Sequence, residues 1–83
     1  MVNYDKVPNE RMKSDVRRHV ETGTVHSDFL YAVLTNDLVD SFALADLENR
    51  KKLNDWRIFI YNELPANCWG SEEKVDNWDG LNS

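Results

Sequence analysis

Between Gly23 and Pro65 the chain contains neither glycine nor proline, so a long central stretch runs without a residue that forces a turn. In such a stretch the spacing of apolar residues decides which element forms. No segment alternates apolar and polar residues over the length of a strand. Phe29, Leu30, Val33 and Leu34 instead follow an i, i+1, i+4, i+5 pattern. Leu38, Phe42, Ala45, Asn49, Leu53, Trp56, Ile60 and Leu64 then recur at close to heptad spacing. The fold class predicted is all-α: a small bundle of three to four helices, one of them long and in the C-terminal half.

The remaining breakers and caps set the boundaries. Pro8 suits a first helical turn, where its missing N–H costs nothing. Met12, Val16 and Val20 form a narrow apolar stripe, and Gly23 stands where a left-handed C-cap is wanted. Ser27 caps a second helix, with Asp28 in its first turn. Thr35, Asn36 and Asp37 prefer caps to helix interiors, so they predict a break, with Asn36 or Asp37 capping the next helix. That helix is expected to run to Pro65, about 40 Å at 1.5 Å per residue. Ser71 caps a short last helix that carries Glu72 and Glu73 in its first turn and Val75 and Trp78 on its inner face. No repeat or linker divides residues 1–83, which read as one helical domain with a frayed tail over 79–83.

Composition excludes more than it selects. The chain has 83 residues, 41% hydrophobic and 30% charged, which is globular composition. Ten Lys and Arg against fifteen Asp and Glu leave a formal charge of -5, unsuited to a dedicated nucleic-acid binder. One cysteine, Cys68, makes no intramolecular disulfide and reads as a buried structural thiol. Met1 to Lys6 is not a basic-then-apolar leader, and no run approaches the ~18 apolar residues of a membrane span. The expected compartment is a reducing cytoplasm. His19 and His26 are the only histidines, and nothing joins either to Cys68 as a catalytic pair. His19, near a helix C-terminus, is expected to complement the dipole. No paired-cysteine or His-Glu-x-x-His spacing points to a metal, and no glycine-rich loop to a phosphate cofactor. No catalytic residue, metal or cofactor is expected, and the protein reads as a non-enzyme.

The anomaly is polarity on an apolar seam. Asp46 and Asn49 fall within the stripe of the long helix, Asp37 lies between Leu34 and Leu38, and Asn62 sits beside Ile60 and Leu64. A buried carboxylate or amide costs several kcal/mol unless it is paired. Two explanations stand: a satisfied network, with Asp37 as a cap and Asp46 bonded to Arg50 or a tyrosine, or the lining of a pocket. Basic residues cluster on the first helix (Arg11, Lys13, Arg17, Arg18) and on the long one (Arg50, Lys51, Lys52, Arg57). They fit either a solvated face or an anion site. Residues 65–83 carry one positive and four negative charges, and with Trp69, Trp78, Glu72 and Glu73 they form a candidate partner surface.

Four blocks in order carry a resemblance: Phe-Leu-Tyr-Ala-Val-Leu-Thr-Asn-Asp-Leu (29–38), Ala-Asp-Leu-Glu-Asn (45–49), Tyr-Asn-Glu-Leu-Pro (61–65) and Cys-Trp-Gly-Ser-Glu-Glu-Lys-Val (68–75). Over about residues 16–78 the chain resembles a family of short phage- and prophage-encoded proteins. It departs at Glu72, where the family's pattern usually has proline, and at Thr24-Val25-His26, where it often has a proline-containing turn. The resemblance implies an origin in a bacterial host and carries no activity. Small accessory phage proteins commonly act by stoichiometric binding, so the leading expectation is a binding protein that counters host defence. In one form it sequesters a nucleotide messenger: Arg17, Arg18, Arg50 or Arg57 takes phosphate, Tyr31 or Trp56 stacks a base, and Asn36, Asp37, Asp46 and Asn49 line the site. In the other it blocks a host protein through the acidic C-terminal end. The alternative is a structural or replication-accessory adaptor that self-associates along its heptad-like stripe.

Overall fold

In the computed structural model, which describes residues 2–81, every regular element is helical. Six α-helices follow in order: α1 (Lys13–Thr22), α2 (Asp28–Leu34), α3 (Leu38–Leu44), α4 (Leu47–Lys51), α5 (Leu53–Glu63) and α6 (Glu72–Asn77). Short 3-10 turns at Tyr4–Lys6, Glu10–Met12 and Ala66–Cys68 complete the chain.

The caps act where the sequence places them. The side chains of Ser27, Asp37 and Ser71 accept hydrogen bonds from the amides of Leu30, Asp40 and Lys74. Each satisfies one of the donors that a helix start leaves open. Gly23 takes φ 82° and donates its amide to the His19 carbonyl, ending α1. Ahead of Pro65, Leu64 turns extended (φ -90°, ψ 145°) and α5 stops.

The long helix does not form. A continuous rod from 38 to 64 would span about 40 Å, whereas the molecule's longest dimension is 34 Å. The chain breaks twice instead. At Ala45 the backbone is extended (φ -71°, ψ 136°), and Asp46 becomes the N-cap of α4, accepting from the Asn49 amide at 2.8 Å. At Lys52 (φ -108°, ψ 15°) the amide bonds back to the Asn49 carbonyl in a tight turn, and α5 starts along a new line. The predicted three to four helices are therefore six.

The core draws on the chain on either side of α3 and α4: Val7, Met12, Val16 and Val20, the inner face of α2, Trp56, Phe59 and Ile60 of α5, then Leu64, Cys68 and Val75. Trp56 is its centre. Its ring is fully buried, meeting Phe29 and Phe59 edge to face at 5.7 and 6.3 Å between centroids.

The tail is docked as far as it is described. Trp78 donates its indole N–H to the carbonyls of His19 and Val20, and the Leu81 amide donates to Val20 at 2.9 Å. These bonds satisfy carbonyls that the end of α1 leaves open. A Cβ at Gly23 would collide with the Trp78 carbonyl, so the same glycine that ends α1 permits this approach. Leu81 is thus bonded to the end of α1, and 82–83 lie outside the described residues.

Candidate functional site

Asp46 and Asn49 separate once the chain breaks between them and the rest of the seam. Asp46 is an exposed cap that pairs with Arg11 at 3.3 Å, and not with Arg50 or a tyrosine. Arg11 also reaches Glu48 at 3.2 Å. Asn49 is 5% exposed and fully occupied. Its Oδ1 accepts from the Asn9 side chain and from the Trp56 indole, each at 3.1 Å, and its Nδ2 faces the Met12 sulfur at 3.4 Å. It is the polar keystone of the core, not the wall of a cavity. Asp37 likewise caps α3, accepting from the Asp40 amide at 3.0 Å, while its carbonyl takes the Ser41 hydroxyl at 2.6 Å.

Most of the other expected ligand residues are engaged or misplaced. Trp56 has no exposed surface and stacks no base. Arg17 lies over the Tyr4 ring and pairs with Glu21 at 3.5 Å; Arg18 pairs with Asp15 at 3.7 Å. Both pair with carboxylates of α1 itself. Tyr31 donates its hydroxyl to Asp76 at 3.0 Å, a bond that raises its phenol pKa. Trp78 is tied to α1 through its indole N–H, while its ring stays partly exposed. Glu72 and Glu73 are exposed in the first turn of α6. The concavity beside them, about 550 Å³, has polar and charged walls such as Glu73, Lys74 and Asp79, with Trp78 as its aromatic side.

Two flagged residues do converge. Asn36 and Arg57 meet in a groove between α3 and α5, floored by Val33 and Ile60. Two adjoining hollows of about 310 and 270 Å³ share Val33, Asn36 and Arg57. Asn36 holds a left-handed conformation (φ 64°) that its short polar side chain tolerates, and this sharp turn sets α3 beside the groove. Tyr61 and Trp69 form one rim, edge to face at 6.2 Å between centroids, with Asn62 nearby. Arg57 is the one charged side chain lining either hollow, and it has no carboxylate partner among the described residues.

The bordering helix is turned inside out. Among the residues of α3, Ser41 alone is buried, while Leu38, Val39 and Phe42 are 64%, 77% and 52% exposed. Leu44 at its end, Leu47 on α4, and Ile58 and Tyr61 on α5 are exposed as well. Arg50 lies over the Phe42 ring at 4.5 Å, leaving its guanidinium at the edge of the apolar stripe. Several exposed apolar residues on one short helix mark an interaction site, since isolated exposed residues need no explanation but a cluster does. The heptad spacing had assigned Leu38 and Phe42 to the core. The signal for the reverse was present: Ser41 sits among apolar residues on a helix too short to bury all of its sides.

Of the buried polar groups, His19 differs from the sequence reading and Cys68 agrees with it. His19 is buried, its Nε2–H donating to the Cys68 carbonyl at 2.9 Å, so it is part of the core and not a dipole partner at the surface. Burial pushes its imidazole below the ordinary value, against the opposing pull of the Cys68 and Gly23 backbone. Burial also pushes the Cys68 thiol up to about 12. Among the described residues no three His, Cys, Asp or Glu side chains gather as a metal site, and no helix is long and apolar enough to cross a membrane. Compared with family models, curated proteins and solved structures, the chain matches none.

Proposed function

We propose that this is a non-enzymatic binding protein that works by stoichiometric contact with another protein on its α3–α5 face. The observation that carries this reading is the orientation of α3, which presents Leu38, Val39 and Phe42 to solvent and buries Ser41. Leaving three large apolar residues in water forgoes about 1.5–3 kcal/mol for each that a core would have buried, and an interface recovers that term. The resemblance to phage- and prophage-encoded proteins sets the context: a host protein as the target, in the cytoplasm of a bacterium, and interference with a defence as the outcome. The acidic α6 end is the weaker surface for such contact, because apart from Trp78 its concavity has polar and charged walls.

The test compares the tagged chain with a Val39→Asp, Phe42→Asp double variant in extract from the host. The expected result is one host protein recovered in fixed ratio by the parent chain and lost with the variant, whose circular dichroism is unchanged. Equal recovery by both chains refutes the face. A nucleotide reading is kept by one observation, the unpaired Arg57 among the carboxamides of Asn36, Asn54 and Asn62 with Tyr61 on the rim. Calorimetric titration with cyclic nucleotides decides it: heat that disappears in Arg57→Ala establishes that reading in place of the first.

A further inference from the structure

We infer that the groove between α3 and α5 takes an extended segment of the partner's chain, its main chain held by the carboxamides of Asn36, Asn54 and Asn62 and one carboxylate held by Arg57. The inference rests on the reading that this face binds protein, and it names the chemistry of the segment bound. The two hollows share Val33, Asn36 and Arg57, so they run on from one another as one groove. Leu38 and Leu53 give one hollow its apolar wall, and Ile60 and Trp69 the other, while Arg57 borders both. The walls are set before anything binds. Beside Trp69 the Gly70 amide donates to the Leu34 carbonyl at 2.7 Å, and beside Asn36 the Asp37 amide donates to the Ala32 carbonyl at 2.9 Å. A groove fixed in this way loses little freedom when a segment docks.

Four polar side chains line this groove with their bonding capacity unused. Asn36, Asn54, Asn62 and Arg57 are exposed, and none makes a side-chain hydrogen bond or ion pair among the described residues. Arg11, Arg17 and Arg18, in contrast, pair with carboxylates, and Arg50 lies over Phe42. A carboxamide offers a donor and an acceptor together. A peptide main chain repeats that same pair of functions along its length, and a segment held by its main chain sends alternate side chains into apolar hollows. Charge sets the remaining residue. Arg57 is the one charge in the groove and matches a single carboxylate. A basic segment would meet an unpaired cation, an uncharged one would cover the guanidinium without an acceptor, and a cyclic dinucleotide would bring two phosphates to one arginine. The fitting segment is acidic at one residue with apolar residues on either side.

The experiment probes the full chain, Arg57→Glu and Asn36→Gly with a positional-scanning library of acetylated, amidated heptapeptides, then measures the selected peptide by fluorescence anisotropy. Both positions are exposed, glycine keeps the left-handed turn while deleting the carboxamide, and circular dichroism checks that each variant folds. The parent chain is expected to select Asp or Glu at one position with apolar residues flanking it. Changing that acid to its amide is expected to weaken binding roughly 10-fold. Arg57→Glu is expected to exchange the acidic preference for Lys or Arg, and Asn36→Gly to bind the same peptides more weakly. A library from which nothing is selected overturns the inference, and so does an acidic preference that survives Arg57→Glu. Binding of a cyclic nucleotide with no peptide selected overturns it in favour of the nucleotide. These outcomes are separate from the proposed function: a host protein captured through Val39 and Phe42 with no acidic peptide selected refutes the segment alone, and peptide selection through Arg57 with no host protein captured refutes the host target alone.

Discussion

Replacing Asn49 with alanine removes one oxygen that two buried donors share. The Asn9 amide and the Trp56 indole both donate to Asn49 Oδ1 at 3.1 Å, and both residues are almost wholly inaccessible to water. A buried donor without an acceptor costs about 1–3 kcal/mol, and the truncation also leaves space beside Met12. Some relaxation offsets this, so the expected loss is about 2–4 kcal/mol. A domain of this size has a total stability of about 4–12 kcal/mol. With about 4–8 °C per kcal/mol for small domains, the midpoint falls by roughly 10–25 °C. Thermal and urea melts followed by circular dichroism and tryptophan fluorescence read the change. Asn9→Ala removes the other end of one of these bonds, so the double variant loses less than the two single losses combined, by about 1 kcal/mol. A melt of Asn49→Ala within about 0.5 kcal/mol of the parent refutes the network and returns Asn49 to the candidate pocket residues.

Asp46→Ala removes the α4 cap and is expected to cost about 1 kcal/mol in a urea melt, whereas Asp46→Asn, still able to cap, costs a few tenths. His19 has a folded pKa below its ordinary 6.5, so the unfolded chain takes up a proton first as pH falls. Stability is therefore expected to decline below about pH 6.5, by at most about 1.4 kcal/mol per pH unit for this one group, and to lose that slope in a His19→Gln variant that still folds. Cys68, buried and with its thiol pushed up to about 12, is expected to resist thiol-reactive probes in the native protein and to label fully in denaturant; rapid native labelling contradicts its place in the core.

Local chemistry was legible in the sequence, and tertiary choice was not. Ser27, Asp37, Ser71, Gly23 and Pro65 each have one conformational preference strong enough to act alone, and all five mark the boundaries they suggest. Asp46 has two uses. Within a run free of glycine and proline it reads equally as a residue on a long helix or as the cap of a new one. Partners distant in sequence favour the cap: Arg11 for its own carboxylate, Asn9 and Met12 for the Asn49 that the break turns inward. Once the helix breaks there, α3 no longer shares a register with α5. Leu38 and Phe42 then leave the core that holds Trp56 and Ile60.

The candidate site shows the same division. Asn62 stood out as a polar residue beside apolar neighbours, Asn36 as a break residue and Arg57 as a member of a basic cluster, and the three flank one groove. Trp56 belonged to the apolar stripe by spacing, and that placement already opposed its use as an open stacking ring. The outward turn of α3 follows from the break at Ala45 and Asp46, so it was hidden for as long as the break was.

Backbone amide chemical shifts of the labelled protein, recorded alone and with its captured host protein, locate the contact directly. The account predicts changes concentrated at Val39, Phe42, Arg57, Ile58 and Tyr61, with the surroundings of Asn49 unmoved. Changes gathered instead around Glu72, Glu73 and Asp79, with α3 silent, would contradict it.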